Sequence, residues 1–194
     1  MTTDEQPRTA HLDAKRLRAL AHPLRVQLLG ALRLDGASTA TALAKRFGHN
    51  SANTSWHLRQ LAAAGLVTED LHRGNRRERW WTAAQEQTSV DVVALSRDPD
   101  LAGALTTYLH GVNAVHHEQA GIYLATMNDW PEHWRQAAEL SDYRLHLSVA
   151  EATDLNRRIT EVIDNFRRAP QSGDTDVVVH WHALPQHRPD PPRR

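Results

Sequence analysis

The sequence has 194 residues, 40% hydrophobic and 24% charged, a composition that forms one large folded domain or two small ones rather than a disordered chain. It contains no cysteine, which excludes a disulfide scaffold, thiolate metal sites, iron–sulfur ligation and a cysteine nucleophile. Its 23 basic and 23 acidic residues cancel, but unevenly: residues 1–84 hold 13 basic and 7 acidic side chains, net +6, and residues 85–194 hold 10 and 16, net −6. Such asymmetry between halves suits a polyanion-binding half joined to something else. No apolar run approaches the roughly 18 residues that span a membrane. Met1–Ala10 lacks the apolar centre of a signal peptide. A cytoplasmic protein with no membrane partner is therefore expected.

Residues 1–11 read as a disordered tail. From Leu12 the apolar spacing turns helical, through Leu17 and Leu20 and then Leu24, Leu28, Leu29 and Leu32. Pro23 fits the first turn of a new helix, where its missing N–H removes no bond, and Asp35-Gly36 ends that helix. Ser38 or Thr39 caps a third helix carrying Ala42, Leu43 and Phe47, which Gly48 stops. Asn50 or Ser51 caps a fourth, with Thr54, Leu58 and Leu61 on one face and Gly65 just past its end. Two strand-like runs follow, Leu66–Leu71 and Arg77–Thr82, around the turn sequence His72-Arg73-Gly74-Asn75-Arg76. Helices followed by a hairpin over residues 12–84 outline a winged helix-turn-helix.

In the acidic half, Ser89–Leu95 reads as a strand or a helix start. Asp98-Pro99-Asp100 opens a long helix to Met127 with Leu101, Leu105, Tyr108 and Val112 along it. Pro131 begins a short helix through Leu140. Tyr143–Leu147 and the β-branched run Asp176–Leu184 read as strands. Between them, Ser148 and Glu151 form a capping box for a helix reaching Arg168. Residues 185–194, with four prolines, read as a second disordered tail. The expected fold class is mainly α with a small β component. A winged helix-turn-helix domain spans 12–84, and a helical C-terminal dimerisation and effector region carrying one or two short strands spans 85–184.

The fourth helix carries short hydrogen-bonding side chains, one arginine and one aromatic on its polar faces: Ser51, Asn53, Ser55, Trp56, Arg59 and Gln60. A major groove about 12 Å wide admits a helix, and its base edges offer mixed donors and acceptors. The same side chains also suit an ordinary solvated face. The hairpin separates the two readings. Arg73, Arg76, Arg77 and Arg79 crowd around Asn75, and guanidinium groups that repel one another call for an anion nearby. A wing lying on phosphates or in the minor groove supplies it.

The run Leu20-Ala21-His22-Pro23-Leu24-Arg25-Val26-Gln27-Leu28-Leu29 resembles the opening helix signature of ArsR-like winged-helix repressors. The run Thr54-Ser55-Trp56-His57-Leu58-Arg59-Gln60-Leu61-Ala62-Ala63-Ala64-Gly65-Leu66-Val67 resembles that family's recognition helix and its exit into the wing. The resemblance covers Leu12–Ala84. It implies a homodimer that binds a pseudo-palindromic operator on double-stranded DNA, usually as a repressor. By position it places Ser51, Ala52, Ser55, Trp56 and Arg59 toward the bases, and His57 supports the helix or touches phosphate. Ser51-Ala52 stands where the pattern often has Gln-Ser, which leaves the operator sequence open. Cysteine-based metal sensing, common in the family, is impossible here. The long acidic half resembles that of larger relatives with a C-terminal dimerisation region.

Thirteen histidines leave two readings open. His110 and His117, seven apart, share a helix face, and His180 and His182 would point the same way on a strand, with His146 on the other strand. Together they suit either a polar surface and dimer contact or a zinc- or nickel-like set. No cofactor is assigned, and a metal or small-molecule effector stays open. Tyr123, Trp130, Trp134 and Tyr143 either line a pocket for a planar ligand or anchor packing. Trp80 and Trp81, adjacent on a strand, must face opposite ways. The stripe Ala152, Leu155, Ile159, Val162 and Phe166 has the steps of a helix-packing seam, and together with the long helix it suggests a homodimer interface. No Gly-rich phosphate loop, Gly-x-Ser-x-Gly turn or His-Glu-x-x-His motif occurs, so no enzyme and no catalytic residue is expected. The alternatives to a DNA-binding regulator are a winged-helix protein-interaction module and a histidine-based metalloprotein.

Overall fold

Side-chain caps set where the helices begin. In the computed structural model, which describes residues 8–73 and 78–186, the Asp13 carboxylate accepts from the Arg16 N–H at 2.8 Å and starts α1, Ala14–Leu20. Pro23 occupies the first turn of α2, Pro23–Leu34. Of the two caps open for the third helix, Thr39 takes the role: its hydroxyl accepts from the Ala42 N–H at 3.2 Å, opening α3, Ala40–Phe47. Likewise Asn50 caps α4, Ser51–Ala63, by accepting from the Asn53 N–H at 2.7 Å. The end of α4 is a Schellman turn. Gly65, at φ 70°, donates to the Ala62 carbonyl at 2.9 Å and Leu66 donates to the Leu61 carbonyl at 3.0 Å, while both leucines are fully buried.

The chain divides into two compact units, Met1–Met127 and Asn128–Arg194. In the first, β2 (Ser38–Thr39), β3 (Val67–Glu69) and β4 (Trp80–Ala83) form an antiparallel sheet in the order β2-β4-β3. Val67 pairs with Ala83, Glu69 with Trp81, and Thr39 with Trp80. Trp81 is buried and Trp80 half-buried, so the adjacent indoles do face opposite ways.

Residues 9–11, expected in a tail, instead form β1, Thr9–His11, which pairs in parallel with β5, Gln87–Ser89. Each strand is only three residues long, too short for a period-2 pattern to register in sequence. The segment open to either strand or helix supplies both, since α5, Val92–Ser96, follows β5. The long helix is α6, Pro99–Thr126. It was expected in a C-terminal region starting at 85. The whole helix belongs to the first unit, where Leu101, Leu105 and Tyr108 of its first half enter the core with Leu17, Leu20 and Leu28. At Gly111 a Cβ would stand 3.1 Å from Val26 Cγ2, so glycine lets α6 lie close to α2. No helix among the described residues is long and apolar enough to cross a membrane.

In the second unit α7 spans Glu132–Ala137, shorter than the expected helix through Leu140. The helix α8, Val149–Asn165, starts with the expected capping box: Ser148 Oγ accepts from the Glu151 N–H at 3.3 Å, and Glu151 Oε2 accepts from the Ser148 N–H at 2.8 Å. Arg157 pairs with Asp154 and Glu161 on its outer face. Tyr143–Leu147 and Asp176–Leu184 run without strand pairing, against the expectation. β-branched composition favours an extended backbone, but a strand also needs a neighbouring edge to hydrogen-bond. Trp181 Nε1 donates to Asn156 Oδ1 at 2.8 Å, tying the second segment to α8. Arg168 pairs with Asp174 at 2.6 Å and holds its carboxyl down at about 2.

Candidate nucleic-acid interface

The buried and exposed sides of α4 separate cleanly. Thr54, Leu58 and Leu61 are fully buried, and His57 is 3% exposed. These four follow the steps i, i+3, i+4, i+7, a single helix face. Ser51, Ala52, Asn53, Trp56 and Arg59 are exposed, and Ser55 and Gln60 are half-buried. Ala52, Ser55, Trp56 and Arg59 repeat the same steps on the opposite side. Arg59 Nε lies 3.3 Å from the Ser55 carbonyl, which lays the guanidinium along the helix. The Thr54 hydroxyl donates to the Asn50 carbonyl at 3.1 Å, so this buried polar group keeps a partner.

His57, expected either to support the helix or to touch phosphate, is buried. Its ring lies under α4, 4.4 Å from the ring of His22 at the start of α2. Trp56 meets it edge-on at 4.9 Å, with 77° between the ring planes. Nδ1 of both His22 and His57 is buried without a hydrogen-bond partner among the described residues. Burial pushes both imidazoles below their ordinary pKa. Arg25 and His49 push His22 further down, while His22, Arg25 and His49 do the same for His57. The helical period around Leu58 could have placed His57 on the buried face. The pairing with His22 has no signal in sequence, because the two residues come from different helices.

On the wing, Arg73 Nε stands 3.5 Å from Asp70, and its guanidinium lies 6.0 Å from the centre of the Trp80 ring. Arg79 Nε stands 3.8 Å from Glu69. Both arginines are exposed, so these acids screen them without burying them. Asn75, Arg76 and Arg77 lie outside the described residues. On α3, Arg46 pairs with Asp35 and lies 5.4 Å from the Phe47 ring. The sequence reading had not singled this residue out.

The other candidate residues are divided between the two units. His110 and His117 are exposed on α6 in the first unit. In the second unit His146 and His182 are exposed and His180 is half-buried, with its pKa lowered by burial and by His182. The strand that was to align His180 with His182 does not form. Among the described residues, no three histidine, aspartate or glutamate side chains are placed to hold a metal ion. Tyr123 and Trp134 are half-buried, and Trp130 and Tyr143 are exposed. A cleft of about 230 Å³ in the first unit is lined by Gln27, Gly30, Ala31, Phe47, Val115 and Ile122 among others.

Residues 20–70 match the family model described as a helix-turn-helix domain. No curated protein is a significant relative of the chain. Among solved structures, a mutant of Lactococcus lactis ZitR in apo form aligns with 76% of this chain and 84% of its own, at 13% identity and a TM-score of 0.32. A second structure of that mutant aligns with 75% of each chain at 13% identity and 0.31. A crystal structure of Lactococcus lactis ZitR, described as a zinc-responsive MarR family member, aligns with 80% of this chain and 77% of its own at 13% identity and 0.27. Helices α2–α4 with the sheet β2-β4-β3 make residues 20–84 a winged helix-turn-helix, the DNA-binding fold of transcription regulators.

Proposed function

We propose that the chain is a cytoplasmic, homodimeric, sequence-specific transcriptional repressor of the ArsR-like type. It reads a pseudo-palindromic operator with α4 in the major groove and residues 71–79 on the backbone or in the minor groove. The observation that carries this reading is the two-sided α4: a sealed face of Thr54, His57, Leu58 and Leu61 behind an exposed face of Ser51, Ala52, Asn53, Trp56 and Arg59. Short side chains at the helix N-terminus let the backbone approach base edges, and Arg59 reaches a guanine from one turn further along.

Dimerisation is supported by apolar surface that water would otherwise cover. Phe166 is 82% exposed and Val162 54%, both on the seam of α8, while Ile122 and Leu124 are exposed near the end of α6. One winged helix reads one half-site, so a dimer also doubles the contacts. Binding-site selection from genomic DNA with the purified full chain tests the reading. An enriched pseudo-palindrome, bound with steep salt dependence, is the expected result. Binding that ignores salt, or no enriched sequence, overturns it. Repeating the binding with divalent metals and small ligands tests for an effector.

A further inference from the structure

Within the matched residues 20–70, the large hydrophobic side chains left exposed among the described residues are Leu34 at 37% and Trp56 at 47%. Leu34 ends α2 and lines the cleft described above. Trp56 lies on the outer face of α4, in line with Ala52, Ser55 and Arg59.

Its orientation is held from below. The indole meets His57 edge-on at 4.9 Å, and His57 is itself 3% exposed with its ring 4.4 Å from that of His22, tilted by 49°. That contact backs the indole from the protein side while about half of it stays exposed. Ala52, one turn toward the N-terminus, carries only a methyl group and leaves the flank of the ring open on the side that enters a groove first.

An indole presents a broad apolar face and a single N–H donor. Base edges in the major groove offer donors and acceptors, and their one apolar group is the C5-methyl of thymine. We propose that Trp56 is a specificity-determining residue that packs its ring against the C5-methyl of one thymine in each half-site. A cytosine at that position would present its amino group nearby and no methyl, leaving the indole without its apolar contact. The inference rests on the proposed DNA-binding function.

The test uses the selected operator with each thymidine replaced in turn by deoxyuridine, which removes the methyl and keeps the base pairing. Wild-type full chain should bind one substituted duplex per half-site about 3–5-fold more weakly, the worth of one buried methyl group. Trp56→Ala should bind the thymidine and deoxyuridine forms of that duplex equally, with far-UV circular dichroism unchanged. Trp56→Phe should keep part of the preference. If every deoxyuridine duplex is bound like the parent, or if Trp56→Ala keeps the preference, the role assigned to Trp56 is wrong while sequence-specific binding stands. If no duplex is bound selectively, the DNA-binding reading fails and this inference falls with it.

Discussion

Acidification should loosen α4 from its support. Burial lowers the pKa of His57 and His22 beneath it, Arg25 on α2 and His49 before α4 lower both further, and His22 adds to the lowering at His57. In the unfolded chain both imidazoles return to the ordinary value of 6.5. As pH falls, the unfolded state therefore takes up protons before the folded state does, and stability drops across that interval. The contribution is complete above the unfolded pKa and disappears as pH falls toward the depressed folded values. Between about pH 7.5 and about 5.5, each imidazole can remove at most about 1.4 kcal/mol, and the pair at most about 3 kcal/mol. Urea titrations of the full chain at the two pH values measure the loss. His180 in the second unit changes stability in the same direction, so the informative quantity is the difference from His22→Gln, which lacks one of the paired groups. The variant should lose less stability on acidification than the wild type. Equal losses would refute the claim that the surroundings of the His22–His57 pair lower its pKa values.

Other perturbations probe the interface and the scaffold separately. Arg59→Ala should weaken binding to the preferred operator by about 1–3 kcal/mol and flatten discrimination against mismatched duplexes, as read in competitive gel shifts. An equal loss on all sequences would make Arg59 a phosphate contact instead. Arg76→Ala should weaken binding to every sequence and lower the salt slope by about one; an unchanged slope would take that arginine off the DNA backbone. Gly65→Ala forces a side chain into the left-handed region and should destabilise the fold by about 1–2 kcal/mol, seen as a lower melting temperature. An unchanged melting temperature would mean that the turn relaxes. Phe166→Asp places a charge on the exposed α8 seam and should convert a dimer to a monomer in sedimentation; a dimer that persists would put the interface elsewhere.

The local features of the fold were legible because their hydrogen bonds close within a few residues. The Thr39 and Asn50 caps, Pro23 in the first turn of α2, the Gly65 turn and the Ser148–Glu151 box each need only neighbours in sequence. The exposed face of α4 was legible for the same reason: a 3.6-residue period divides Thr54, Leu58 and Leu61 from Ala52, Trp56 and Arg59 without reference to anything else. Tertiary structure alone decided what depends on distant partners. The β1–β5 pair joins Thr9 to Gln87, and the first half of α6 enters the core of the winged helix through Leu101, Leu105 and Tyr108. Tyr143–Leu147 and Asp176–Leu184 have strand-forming side chains but no paired edge within their unit. His57 shows the division within one residue. Its place on the buried face follows from the helix period, but its lowered pKa follows from burial and then from His22, Arg25 and His49, which reach it from outside its own helix. Periodicity assigns a side chain to a face, whereas the charge it can carry there depends on the groups that the rest of the fold packs around it.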